Sequence, residues 1–239
     1  MKRKTALCIF LAAASFSGGA EDRLSFVKPA ETGSAGKKEK EYLISCIGNS
    51  ITRHGFNAQT IRNLGWGREC GMAASCEAND YAHLLAGRIQ KLFPERKVRL
   101  VFNRADPESD LIVWQGGEHD VLPEKLATFE RRLTERLREY LRITPHVIVI
   151  GIWNPVCREE FKECTASFYP SAAKQVEAIE KKVCRDLGIP FAAVSEYEND
   201  PENTGSGEVA GVRWHPNDNG MKRYAEAAYR ACLETMRRK

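Results

Sequence analysis

Beyond its N-terminus the sequence has no apolar run of the ~18 residues that a membrane-crossing helix needs, so no later segment is expected to span a bilayer. It has no CxxC pair and no HxxxH spacing, which argues against a structural zinc site, and no metal is expected. It also lacks an excess of charge. The formal value of +4 falls to about +1 once Lys2, Arg3 and Lys4 are set aside with the leader described below, leaving 33 basic residues against 32 acidic ones. That balance gives no electrostatic footprint for nucleic acid. No internal repeat is visible. What is present is 239 residues, 43% hydrophobic and 28% charged, enough for one domain with a full-sized core. The chain is too apolar for a disordered protein and too rich in Gly, Pro and charge for a membrane bundle.

The chain opens MKRK, continues ALCIFLAAASF and reaches SGGA before Glu21. A basic stretch, a short apolar stretch and a small-residue zone read as a secretory signal peptide over residues 1–20, with a buried N-terminal helix as the alternative. Cys8 lies too early in the apolar stretch for a lipoprotein site. The expected location is secreted or periplasmic. Residues 21–40 are polar and small and read as a flexible lead-in, with one domain over 41–239. An exported chain meets an oxidising compartment, so the other seven cysteines are free to pair. Cys70–Cys76 and Cys157–Cys164 are the favoured local pairs, because each closes a loop of a few residues. The odd count leaves at least one thiol free. Cys46 and Cys232 lie in strand and helix patterns and read as small buried hydrophobes.

From Tyr42 onward, strand-like and helix-like stretches alternate. YLISCI (42–47), VRLVF (98–102), LIVW (111–114), HVIVIGI (146–152) and PFAAV (190–194) read as strands. Helical spacing of apolar residues marks 79–93, then Leu122 to Leu141, Val176 to Leu187 and Met221 to Cys232. Continuous rather than alternating apolar strands mean a parallel sheet covered on both faces. The fold class is therefore α/β, a three-layer sandwich around a five-stranded parallel sheet. Ligands in such folds sit beyond the carboxyl ends of the strands.

At those ends stand Gly48-Asn49-Ser50-Ile51-Thr52 after the first strand and Gly116-Gly117-Glu118-His119-Asp120 after the third. Trp214-His215-Pro216-Asn217-Asp218 precedes the last helix. Taken singly, the first reads equally as a turn and the last as a helix cap. Together they bring a hydroxyl, a polar donor and an imidazole to one rim. A nucleophile needs a neighbouring base, and an acyl-transfer intermediate needs donors for its oxyanion. Trp66, Trp153 and Trp214 also fall in rim segments, as sugar-stacking platforms or as packing anchors. Arg53 and His54 read as a solvated turn or as an anion contact.

On these residues the chain resembles the SGNH hydrolases, the GDSL-like lipase and esterase superfamily, over roughly Tyr42 to Met236. IGNSIT is similar to the first signature block, with Asn49 for the usual Asp. GGEHD is similar to the third, with His119 at the Asn position, and WHPND with Gly220-Met221 to the last. GMAAS followed by NDYAHLL looks like a feature of one secreted bacterial branch. The resemblance implies a flavodoxin-like fold, Ser50 as nucleophile and His215 as general base. It implies an oxyanion hole from the Ser50 N–H and His119. The family's oxyanion Gly follows strand two, where this chain reads Asn103-Arg104-Ala105-Asp106, so Gly71 is the substitute. The family's Asp three residues before the His is Val212 here. A backbone carbonyl is expected in its place, with Glu208 or Asp218 as possible acids.

The resulting expectation is an exported, monomeric serine esterase without cofactor. Its substrate would be a small-molecule or polysaccharide ester, an O-acetylated carbohydrate by analogy with exported members of the superfamily. The alternative is a catalytically degenerate member that binds a glycan without turnover.

Overall fold

The five strands are β1 (Glu41–Ile47), β2 (Lys97–Phe102), β3 (Leu111–Gln115), β4 (Val147–Ile150) and β5 (Phe191–Ala192). They form one parallel sheet in the order β2-β1-β3-β4-β5. The structure is a computed structural model that describes residues 41–205 and 207–237. The signal peptide and lead-in assigned above lie outside the described residues.

The helices are α1 (Ala58–Leu64), α2 (Tyr81–Leu92), α3 (Pro123–Ile143), α4 (Pro170–Leu187), α5 (Ala210–Arg213) and α6 (Asp218–Arg237). The chain leaves β1 toward β2 in one direction, then reverses through β3, β4 and β5. Right-handed crossovers then place α2 on one face and α3 and α4 on the other. The packing follows: α2 lies against α6 and β2, and α3 against α4. Burial explains the strand composition. β3 and β4 are buried along their whole length, whereas the edge strand β2 is mostly half-exposed. On α3, Phe129, Leu133, Leu137 and Tyr140 form the buried stripe. Gly188, with φ +68°, ends α4 in the left-handed conformation that glycine adopts without strain. Among the described residues, no helix is long and apolar enough to cross a membrane.

Four features differ from the sequence reading, and one is the fifth strand, which spans only Phe191–Ala192 rather than 190–194. The sequence reading has no helix at α1, which fully buries none of its residues, packs only Leu64 partly against the core and is capped by a box between Asn57 and Thr60. The fourth strand stops at Ile150 rather than Ile152. Its Gly151 N–H still reaches the Ala192 carbonyl, but the next three N–H groups turn to glutamate side chains. The favoured disulfides are absent: all seven cysteines in the described residues are free. The Cys70 thiol faces the Ala74 carbonyl at 4.0 Å while Cys76 is exposed. The Cys157 and Cys164 thiols face the carbonyls of Glu198 and Glu160, not each other. Cys46 and Cys232 are buried, as expected.

Leu137 is fully buried on α3, whereas Leu141 on the same helix is only partly so. Leu137→Ala is expected to cost about 2–5 kcal/mol of unfolding free energy, and Leu141→Ala clearly less, in paired urea denaturations at unchanged m-value.

Candidate active site

The turn after β1 is built around two residues. Gly48 is required because a Cβ there would overlap the Thr52 hydroxyl and the Gln115 carbonyl at the end of β3. The Asn49 carbonyl accepts the N–H groups of Thr52 and Arg53, both at 3.0 Å, and its side-chain Oδ1 accepts that of Ile51 at 3.0 Å. Ser50 sits at the head of this turn, above the switch point between β1 and β3.

His215 lies 165 residues away in sequence, yet its Nε2 is 2.7 Å from Ser50 Oγ. Its Nδ1 is 2.6 Å from the Gly211 carbonyl. A carbonyl only accepts, so Nδ1 carries the proton and Nε2 is the acceptor for the Ser50 hydroxyl. The backbone around His215 is fixed from several sides. The Trp214 carbonyl accepts the Trp153 indole N–H at 2.7 Å, and the Trp214 indole donates to Ser167 Oγ at 2.8 Å. The His215 carbonyl accepts the Gly205 N–H at 2.6 Å. Burial, with added like charge from His54 and His119, lowers the His215 pKa to about 3 against the opposing pull of the Gly211 carbonyl. The imidazole is therefore neutral near neutral pH, as a general base must be.

The structure thus brings Ser50 and His215 together and supplies the expected backbone carbonyl. It does not bring either candidate acid to His215. Glu208 is exposed on the wall of an open cavity of about 660 Å³. Asp218, the first residue of α6, is taken up by the Ser75 N–H at 2.7 Å, the Ser75 hydroxyl at 2.6 Å and Asn79 Nδ2 at 2.9 Å. It ties the GMAAS loop to the helix start and is no third member of a triad. Val212 is buried and apolar where the family's acid would stand.

His119 follows β3 and lines a smaller cavity of about 180 Å³ together with Asn49, Gly116, Asp120 and Arg136. No hydrogen bond joins it to Ser50 or His215. Its side chain is exposed at that cavity, and partial desolvation and Lys125 lower its pKa, against Asp120. Gly71 packs against the Ser50 turn: a Cβ there would meet the Ile51 carbonyl and Met221. The neighbouring Met72 N–H donates to the Ser50 carbonyl at 2.8 Å. Among the described residues, the Ser50 N–H has no acceptor.

The tryptophans settle as packing anchors, since Trp66, Trp153 and Trp214 are all buried. Arg53 is paired with Glu69 and Glu77 and lies over Phe102, so it is committed within the chain. What sequence reasoning missed is Glu118. It is buried, and its carboxylate accepts from Asn49 Nδ2, from Gln115 Nε2 at 2.7 Å and from the Trp153 N–H at 3.0 Å. Burial pushes its pKa up to about 7, against the pull of these donors. The residue lay in plain view in GGEHD, but nothing in that spacing marks an acid as buried.

The depressed pKa of His215 has a consequence for stability. Between about pH 6.5 and pH 3 the unfolded chain binds a proton that folded His215 refuses. Its contribution to stability is therefore lost as pH falls through that window, by at most about 1.4 kcal/mol per pH unit. In urea denaturation, the stability advantage of wild type over His215→Gln should shrink as pH falls from 6.5 to 4. An advantage that stays constant over that range contradicts the burial of a neutral imidazole.

No protein-family model matches the chain, and no curated protein sequence matches it. Solved structures do. The acetylxylan esterase Axe2 from Geobacillus stearothermophilus superposes with a TM-score of 0.54 at 17% identity, over 82% of this chain and 96% of its own. LAE5, an alpha/beta hydrolase enzyme from the metagenome of Lake Arreo, Spain, gives 0.53 at 17%, over 81% and 96%. A lipase/acylhydrolase from Enterococcus faecalis gives 0.53 at 16%, over 79% and 94%. At such identities the likeness speaks for architecture alone: the chain shares the α/β sandwich of these solved structures.

Proposed function

We propose that this protein is an exported serine esterase of the SGNH type that removes short acyl groups, acetyl foremost, from carbohydrate. The observation that carries the reading is the 2.7 Å contact between Ser50 Oγ and His215 Nε2, with Nδ1 fixed on the Gly211 carbonyl. A protein that only held a glycan would have no use for a hydroxyl aligned on a neutral, buried imidazole. The leader-like start of the sequence supports export.

In the reaction, Ser50 Oγ attacks the ester carbonyl while His215 Nε2 takes its proton. The oxyanion receives the Ser50 N–H and the neutral His119 ring N–H. Collapse expels the alcohol, which recovers the proton from His215. Water then adds to the acyl-Ser50 with His215 again as base, and the carboxylic acid leaves. The substrate class rests on the neighbours in fold, since neither the cavity beside Asn49 and His119 nor the larger one beside Ser75 and Asp218 is lined by Ser50 or His215. Among the neighbours in fold, Axe2 is itself an acetylxylan esterase.

Ser50→Ala and His215→Ala should each remove most turnover on acetylated xylo-oligosaccharides, and the double variant should be little worse, because the pair acts as one unit. A fluorophosphonate should label wild type and not Ser50→Ala. Full activity in Ser50→Ala refutes the assignment. Separately, His119→Ala should lower kcat about 10²–10³-fold, while His119→Asn keeps activity. An unchanged kcat in His119→Ala removes it from the oxyanion hole.

A further inference from the structure

The Ser50 turn and the His215 loop reach the site from opposite ends of the domain, yet both trace to one buried group. Glu118 Oε2 accepts the Asn49 Nδ2–H, and Asn49 is the residue that shapes the turn and precedes the nucleophile. Glu118 Oε1 accepts the backbone N–H of Trp153 at 3.0 Å. The Trp153 indole in turn donates at 2.7 Å to the carbonyl of Trp214, the residue before His215. We propose that Glu118 is a positioning residue for the reaction: a single buried carboxylate sets the distance between Ser50 and His215 by holding Asn49 on one arm and Trp153 on the other. This deepens the serine esterase reading above and rests on it.

The orientation of each partner is fixed by what else it binds. Asn49 Oδ1 takes the Ile51 N–H at 3.0 Å, so its Nδ2 must face Glu118. Gln115 Oε1 takes the Thr52 hydroxyl at 3.2 Å, so its Nε2 must face Glu118, at 2.7 Å. Every polar partner of Glu118 is thus an N–H donor, and only an acceptor answers all three. Glutamine at this position can keep the two bonds on Oε1, but its amide nitrogen then meets the Asn49 amide nitrogen, donor against donor. The fault falls on the Ser50 arm alone. An acid at position 49 opposite that glutamine restores donor to acceptor and returns the lost charge one residue away. A group that merely fills the core has no reason to respond to such an exchange of polarity.

The test is a double-mutant cycle on a soluble acetyl ester at pH 8, well below the melting temperature of each variant, with Ser50→Ala run beside it. Glu118→Gln and Asn49→Asp should each lower kcat and the rate of fluorophosphonate labelling about 10–100-fold, with KM within about twofold. The combined Glu118→Gln/Asn49→Asp variant should recover most of both rates. Single variants that keep wild-type kcat and labelling overturn the inference. So does a double variant no better than the product of the singles, or losses that only track the folded fraction. Should Glu118→Gln fail to fold, Asn49→Asp decides alone, by the same kcat and labelling criteria. An active Ser50→Ala brings down the esterase reading itself. An inactive Ser50→Ala beside unaffected single variants brings down the role of Glu118 only.

Discussion

A parallel strand that ends beneath an active site leaves backbone N–H groups pointing into the interior with no further strand to receive them, and each such orphan costs free energy. At the end of β4 this chain answers three in succession with three glutamates. Ile152 N–H goes to Glu180 at 3.1 Å, Trp153 N–H to Glu118 at 3.0 Å and Asn154 N–H to Glu198 at 3.0 Å. The acids come from three different parts of the fold: α4, the segment after β3 and the segment after β5. The path of the β4 loop is therefore fixed by the sheet ends around it. The same loop carries Trp153, whose indole holds the backbone before His215.

Clustering buried acids below the rim of the sheet has an electrostatic cost. Burial raises the pKa of Glu118 to about 7 and of Glu198 to about 8, and pushes Glu180 well above its ordinary value, with neighbouring carboxylates adding to the rise in the latter two. Three full charges at such depth would repel strongly. Glu118 differs from the others in having three N–H donors around it, so it is the best placed to hold the charged form. Glu180 meets one backbone N–H and leaves its Oε1 without a partner among the described residues, which suits a protonated acid.

The architecture was legible because its signals are dense and redundant. Continuous apolar runs in β3 and β4, helical spacing in α3 and α6, and Gly188 after α4 all agree with the observed elements. The meeting of Ser50 and His215 was legible because each stands at a strand end or a helix start on one rim of the sheet. α1 was not, since it is short, fully buries none of its residues and is marked chiefly by the Asn57–Thr60 capping box. Nor was Glu118: a glutamate beside a histidine in a loop reads as solvated until the opposite strand and the β4 loop are seen to enclose it. The cysteine pairs failed for a related reason. Short sequence separation sets an upper limit on distance but says nothing of direction, and the thiols of Cys157 and Cys164 turn to separate backbone carbonyls.

The absence of an acid beside His215 follows from the same geometry. In a triad, a carboxylate on Nδ1 does two things: it fixes the tautomer, and it stabilises the imidazolium that forms when the serine is deprotonated. The Gly211 carbonyl at 2.6 Å performs the first in full. It performs the second only as a dipole, which is why burial prevails and the His215 pKa falls to about 3. In the proposed reaction, a base held that low takes a proton reluctantly, so the demand shifts to the acceptor side. On the proposed mechanism, the more the oxyanion is stabilised by the Ser50 N–H and His119, the less the imidazolium has to be. A dyad of this kind depends on the exact placing of Ser50 against its base more than a triad does, because it has less electrostatic attraction to draw a displaced proton across. That is the setting in which a rigid, buried tie between the two arms has most effect.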